Sequence, residues 1–255
     1  MPILTLTTDY GLRDPYAGQL KGALLCACQT LRIVDVTHHI TPFDLIEAAY
    51  FLSHTCHHYP AGTIHVCTVN SLGDANTPFL CLEHGGYTYV LPDNGMLSLL
   101  WPGAVDGPVV RLPHAPDRSS KQVLAEAVRV LALGYGPRHL GEPARDVAQV
   151  MRPEPVLTPE YIRGAIVHID RYHNAVLNVH RDHVRRAARG RPVYTRFMSS
   201  DPIVGIVDHY HEVPEGDLLA RYNSRGYVEL AVNMGRAAQL FGLERDQLVQ
   251  LDFEP

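Results

Sequence analysis

Three short β-rich apolar runs, separated by two stretches of helical periodicity, fill the first seventy residues, and this alternation limits the fold more than any other feature of the chain. Pro2 to Leu6 is the first run, ending at Thr7-Thr8-Asp9-Tyr10-Gly11; Leu31 to Val36 and Thr63 to Val69 are the second and third. Tyr16 to Cys28, and the segment from Pro42-Phe43-Asp44 to about Tyr59, carry apolar residues at helical spacing. A βαβαβ run of this kind predicts a mostly parallel sheet covered by helices, with ligands gathering beyond the carboxyl ends of the strands. Asp9, Thr37-His38-His39 and Asn70-Ser71 fall at those ends.

Beyond this run the pattern changes. Phe79 to Leu82 and Tyr87 to Leu91, separated by Glu83-His84-Gly85-Gly86, read as a hairpin, and Gln122 to Gly134 as a helix closed by glycine. Gly141 to Pro159 holds four prolines and no sustained period, which predicts a connection between domains. After it come short β-rich runs at Ala165 to Ile169, Ala175 to Val179, Val193 to Phe197, Asp217 to Arg221, Tyr227 to Val232 and Leu248 to Leu251. The expectation is an α/β domain over residues 1–155 and a smaller β-barrel or sandwich over 156–255. The chain has 255 residues, 46% of them hydrophobic, enough for a sizeable core in each.

Composition narrows the partners. A formal net charge of −5, with no basic stripe interleaved with aromatics, argues against nucleic acid. No segment approaches the ~20 apolar residues needed to cross a bilayer, and the amino terminus carries no basic leader, so a cytoplasmic location is expected. Five cysteines, three of them inside apolar runs, fit reduced core thiols better than a disulfide framework.

Several residues invite a chemical reading beside a structural one. Asp9 ends the first strand, where a carboxylate accepts hydrogen bonds from vicinal ribose hydroxyls, or caps a turn or the following helix. Asp14, before Pro15 and Tyr16, is an N-cap or an anchor for a ligand ammonium. Asp170 and Asn174 in Ile169-Asp170-Arg171-Tyr172-His173-Asn174 close a hairpin, or present a purine-reading amide at Asn174 and a stacking face at Tyr172. Asn223-Ser224-Arg225-Gly226 is ordinary turn chemistry. The fifteen histidines show no strong ligand spacing, although His54 and His58 share a helix face, and no metal is expected. Phosphate-binding glycine motifs and a Gly-x-Ser-x-Gly elbow are absent.

Taken together, Thr7-Thr8-Asp9-Tyr10-Gly11, Asp35-Val36-Thr37-His38 with Pro42-Phe43-Asp44, Tyr59 to His65, Pro92-Asp93-Asn94-Gly95, Ile169-Asp170 to Asn174, and Asn223-Ser224-Arg225-Gly226 to Asn233 have a counterpart. In this order the chain resembles the S-adenosylmethionine hydroxide adenosyltransferase family of fluorinases, chlorinases and S-adenosylmethionine hydrolases. The resemblance implies an amino-terminal α/β domain, a carboxyl-terminal β-barrel, and a homotrimer with sites between one subunit's first domain and its neighbour's second. It implies S-adenosylmethionine as substrate, displacement at the ribose C5′ carbon, and no metal. Asp9 would hold the ribose hydroxyls, Asp14 and Asp170 the methionine ammonium, and Ser224 with Arg225 the carboxylate. Phe43 and Tyr172 would be apolar walls and Asn174 would read the adenine.

The chain departs from its hydrolytic relatives at one set. Their aspartate, arginine and histidine, which orient water, are replaced by Asn70, Thr77 and Ser119. Ser120 falls where fluorinases bind fluoride with a serine, and Gly73 where they have a threonine. The expected catalytic residues are therefore Asn70, Ser119 and Ser120. Hydrolysis to adenosine and methionine ranks first, halide transfer giving a 5′-halo-5′-deoxyadenosine second, and ligand binding without turnover third.

Overall fold

The structure, a computed structural model, describes residues 1–71, 77–103, 105–113, 117–197 and 202–254. Two compact units divide the chain, Met1–Arg152 and Pro153–Pro255.

The first unit opens with β1 (Ile3–Thr7), α1 (Tyr16–Ala27), β2 (Arg32–Thr37), α2 (Leu45–Thr55) and β3 (Ile64–Cys67), which is the expected alternation. It continues with β4 (Phe79–His84), β5 (Tyr87–Pro92), α3 (Met96–Leu100), β6 (Val110–Arg111), α4 (Ser120–Ala132) and β7 (Glu142–Pro143). The seven strands form one sheet in the order β2-β1-β3-β5-β4-β6-β7. This sheet is mixed, which corrects the expectation of a mostly parallel one: β2-β1, β1-β3 and β3-β5 pair in parallel, while β5-β4, β4-β6 and β6-β7 are antiparallel. The hairpin is the cause. After β3 the chain first lays down β4 one place further out, and the tight turn then brings β5 back between them, parallel to β3 and antiparallel to β4, with β6 and β7 added antiparallel beyond β4.

Strand alternation sorts the core onto two faces. Leu4, Leu6, Val66 and Val90 pack with Leu20 and Leu24 of α1 and Val123, Leu124 and Val128 of α4. Cys67, Leu80, Leu82 and Leu91 face the opposite way, toward Ala48 and Leu52 of α2 and Met96 of α3. The second face also takes His65, fully buried, whose Nδ1 lies 2.7 Å from Thr5 Oγ1 and whose ring sits among Tyr59, Tyr87 and Tyr89. Burial drives its pKa down to about 4. Cys56, Cys67 and Cys81 are buried thiols, each pushed up to about 12 by desolvation.

The second unit holds β8 (Val156–Leu157), β9 (Tyr161–Ile169), β10 (Ala175–His180), α5 (Arg181–Ala188), β11 (Val193–Arg196), β12 (Ile203–Val204), β13 (Leu218–Tyr222), β14 (Tyr227–Val232), α6 (Ala237–Phe241) and β15 (Leu248–Phe253). Its antiparallel sheet runs β12-β11-β15-β9-β10-β14-β13, with β8 on β9. Val207 N donates to Ala220 O at 2.9 Å, bringing the segment after β12 onto β13 and nearly closing the sheet into a barrel. Gly164 sits where β9 presses on β10; a Cβ there would lie 2.4 Å from Val179 Cγ2. Ile162, Ile166, Leu177, Val179, Val228, Leu230 and Leu251 fill the interior.

Candidate functional site

A cleft of about 880 Å³ opens in the first unit at the carboxyl ends of β1, β2 and β3. Asp9, Asp14, Phe43, Asn70, Ser119 and Ser120 all line it, as do His38, His39 and Ser71.

Asp9 is its centre. Oδ2 accepts from the backbone N–H of Phe43 at 3.0 Å and of Asn70 at 3.2 Å. These donors are 34 and 61 residues away, so Asp9 ties together two rim loops and is not a local cap. Both donors have left-handed backbone, φ 69° at Phe43 and φ 51° at Asn70. Such geometry costs roughly 1–2 kcal/mol for a residue with a side chain, and a hydrogen bond to a carboxylate offsets it. Oδ1 takes no donor among the described residues.

Asn70 is held from behind as well. Asn94, between β5 and α3, donates from Nδ2 to Val69 O at 3.1 Å and Asn70 O at 3.2 Å, while its Oδ1 accepts from Met96 N at 3.2 Å. All three of its contacts are to backbone, so it fixes where the Asn70 amide stands.

Under the cleft floor runs a polar line. Thr8 Oγ1, which accepts from Tyr10 N, lies 2.8 Å from His38 Nδ1; His38 Nε2 lies 3.1 Å from Asp35 Oδ1; and Lys21 Nζ donates to Asp35 Oδ2 at 2.6 Å. Burial alone would raise the Asp35 carboxyl, but the hydrogen bond from Lys21 and the close approach of His38 outweigh it and hold it below the ordinary value.

The opposite wall is the start of α4. Ser119 is its N-cap: the hydroxyl donates to Gln122 Oε1 at 3.1 Å and accepts from Gln122 N, while Ser119 N donates to the same Oε1 at 2.8 Å. Ser120 comes one residue into the helix, and its hydroxyl has no partner among the described residues. Lys121 Nζ donates to Gln19 Oε1 and lies 5.7 Å from the Tyr16 ring centroid. Asp14 does not cap α1, whose N-cap position is Pro15 and which has no side-chain cap. It lines the cleft as an exposed carboxylate.

Thus Asn70, Ser119 and Ser120 share one cleft, but Thr77 is not among its described lining residues. Gly73 lies outside the described residues.

In the second unit, Asp170 Oδ1 accepts from Tyr172 N and Asn174 N, both at 2.8 Å, and Oδ2 accepts from Asn174 Nδ2 at 3.0 Å. This closes the β9–β10 turn, buries Asn174 and leaves Tyr172 75% exposed. Ser224 and Arg225 occupy the β13–β14 turn, where Asn223 Oδ1 accepts from Arg225 N at 2.9 Å and Tyr227 N at 3.1 Å. The register of β10 on β14 shifts between the two turns, so that Ala175 pairs with Leu230 and His180 with Tyr227, and only three residues of β14, about 10 Å, separate these pairs.

The roles of Asn94 and of the neighbours Tyr16 and Lys121 escape the sequence. Asn94 is the second residue after β5 in Pro92-Asp93-Asn94-Gly95, and that placement was the signal available.

Among the described residues, no helix is long and apolar enough to cross a membrane, and no cluster of three or more His, Cys, Asp or Glu side chains is arranged to hold a metal.

The comparisons with known proteins span both units. The SAM hydroxide adenosyltransferase N-terminal domain matches residues 4–136 and the corresponding C-terminal domain residues 164–250. The chain is 31% identical to an (R)-S-adenosyl-L-methionine hydrolase of Thermus thermophilus, over 96% of this chain and 97% of the relative, and 33% identical to one of Salinispora arenicola, over 95% and 94%. It is 25% identical to a fluorinase of an Actinoplanes species, over 95% of each. A crystal structure of a conserved hypothetical protein from Thermus thermophilus superposes with a TM-score of 0.73 at 29% identity, over 98% of this chain and all of that one. An uncharacterized conserved protein from Thermotoga maritima shares the fold, with a TM-score of 0.84 at 20% identity over 98% and 99%. Matched along nearly its whole length by both domains of one family and by full-length relatives above 30% identity, the chain belongs to the SAM hydroxide adenosyltransferase family.

Proposed function

We propose that this protein hydrolyses S-adenosylmethionine to adenosine and methionine by displacement at the ribose C5′ carbon. The observation that carries the reading is the Asp9 carboxylate at the cleft, one oxygen of which anchors both rim loops while the other, without a donor among the described residues, is the acceptor we assign to the ribose hydroxyls. Asp14, exposed at the same cleft, offers a carboxylate to the methionine ammonium. Asp170 offers a second, through the acceptor position that its own turn leaves on Oδ2. Ser224 with Arg225 takes the carboxylate, Asn174 reads the adenine, and Phe43 and Tyr172, both exposed, supply apolar walls.

The chemistry asks little of the protein beyond placement. Water oxygen bonds to C5′ as the carbon–sulfur bond breaks, its electron pair passes to sulfur, methionine leaves as a neutral thioether, and one proton goes to solvent. Asn70, Ser119 and Ser120 are the groups that hold the water. Ser119 spends its hydroxyl on the capping box, so Asn70 and Ser120 carry more of that task. With no aspartate or histidine in the positions where hydrolytic relatives have them, turnover is slower by the ~10²- to 10⁴-fold that a positioned base contributes. The identity to S-adenosylmethionine hydrolases supports water as the nucleophile, whereas Ser120 at the first turn of α4 is the observation in favour of halide.

Incubation of the purified protein with S-adenosylmethionine, in chloride-free buffer and then with each halide, tests this by mass spectrometry of the products. Adenosine in every buffer is the expected result. A halo-nucleoside only with its ion would replace the reading, and binding without product would reduce it to a ligand sensor. We also infer a homotrimeric, cytoplasmic enzyme without metal. Light scattering tests the first of these, and unchanged turnover after chelation the last.

A further inference from the structure

The β10–α5 junction packs against the back of the turn that carries Ser224 and Arg225. Gly226 has φ 80°, and a Cβ there would fall 2.7 Å from His180 Nε2 and 2.8 Å from Arg181 Nε, so these two side chains lie directly on the turn's backbone. Arg181 N donates to Gly226 O at 2.7 Å. His180 Nδ1 accepts from Asp182 N at 3.2 Å, which leaves the proton on Nε2, and Nε2 lies 3.1 Å from Arg225 O as donor. The Arg181 guanidinium is stacked 5.1 Å from the centroid of the Tyr222 ring, at the end of β13 that leads into the same turn. The turn is therefore fixed from behind at two successive carbonyls, and a guanidinium stands beside it with no carboxylate partner among the described residues. On its open side the Ser224 N–H and hydroxyl take no partner among the described residues.

We propose that His180 and Arg181 are positioning residues which set this turn as the receptor for the substrate's α-carboxylate, and so give the protein its preference for a sulfonium bearing an amino-acid head. The inference rests on the ligand reading above and adds a specificity determinant to it. His180 acts through the Arg225 carbonyl, and Arg181 acts through the Gly226 carbonyl while adding positive potential beside the bound carboxylate.

Calorimetric titration separates this inference from the reading beneath it, using S-adenosylmethionine and its analogue lacking the α-carboxylate. The wild type is expected to bind S-adenosylmethionine at least tenfold more tightly than the analogue. Arg181→Leu and His180→Leu are each expected to bring that ratio within about threefold, by weakening S-adenosylmethionine alone. His180→Gln, which keeps a donor toward Arg225 O, should restore most of the ratio. Loss of fold is monitored by melting temperature, and a global weakening of both ligands would not change the ratio. Retention of the wild-type ratio in both leucine variants overturns the proposal and leaves the ligand reading intact. Equal wild-type affinity for the two compounds overturns it too, whereas no heat with either means that the ligand reading itself has failed.

Discussion

Removing the Asp9 carboxylate should damage the protein twice, once in its fold and once in its binding. In Asp9→Ala the Phe43 and Asn70 amides lose their common acceptor, and both residues keep a left-handed backbone with nothing to offset it. Hydrogen bonds to a charged acceptor contribute ~1.5–3 kcal/mol each. Asp9 is half-buried and water reaches the rim, so we expect about 2–4 kcal/mol for the pair. Affinity for S-adenosylmethionine should fall by at least tenfold. Asp9→Asn separates the two losses: its amide oxygen still accepts from both loops, so stability stays within about 1 kcal/mol of wild type, whereas the group facing the cleft is now a donor. Urea unfolding and calorimetry on the three proteins read both effects. If Asp9→Ala unfolds at the wild-type midpoint and binds with wild-type affinity, the account of this residue is wrong.

The remaining predictions follow from the same contacts. Ser119→Ala removes a capping box and is expected to cost about 1 kcal/mol with little change in turnover, while Ser120→Ala should leave stability alone and slow turnover; the reverse pattern would exchange their roles. Asn94→Ala frees the Val69 and Asn70 carbonyls, so kcat should drop several-fold with KM nearly unchanged. His65 is kept neutral by burial with its pKa near 4, against 6.5 when unfolded. The unfolded chain thus takes up a proton that the folded one refuses, so stability is lost as pH falls from 6.5 toward 4 and is constant above. The loss integrates to about 3 kcal/mol over that window. Chemical denaturation across this range should show the slope, and His65→Leu should remove it.

Much of this architecture was legible because it rests on periodicity. The β1–α1–β2–α2–β3 alternation put Asp9, His38 and Asn70 at strand ends, and they meet in the cleft. The sense of the sheet was not legible: the β4–β5 hairpin shows in the sequence, but which of its strands docks on β3 is decided by tertiary packing. α5 was invisible for a different reason. Its segment, Arg181–Ala188, is eight residues long with only Val184 and Ala188 buried, and two buried positions are too few for hydrophobic spacing to report a period. The left-handed backbone at Phe43 is equally silent, since glycine or asparagine, as at Asn70, advertises such a position and phenylalanine does not. Asp9 illustrates the limit of local reading. Its chemistry was evident, yet its partners are set by loops that only the folded sheet brings near.

A carboxylate shares its charge across two oxygens, and Asp9, which lines the cleft, uses one to organise the protein and leaves the other without a donor among the described residues. Occupancy at the outer oxygen therefore has to be felt at the inner one, and by linkage whatever tightens the loops must also tighten the ligand. The Phe43 and Asn70 amides thereby become built-in reporters: their hydrogen-exchange rates should slow together when the cleft fills, although neither nitrogen touches what fills it.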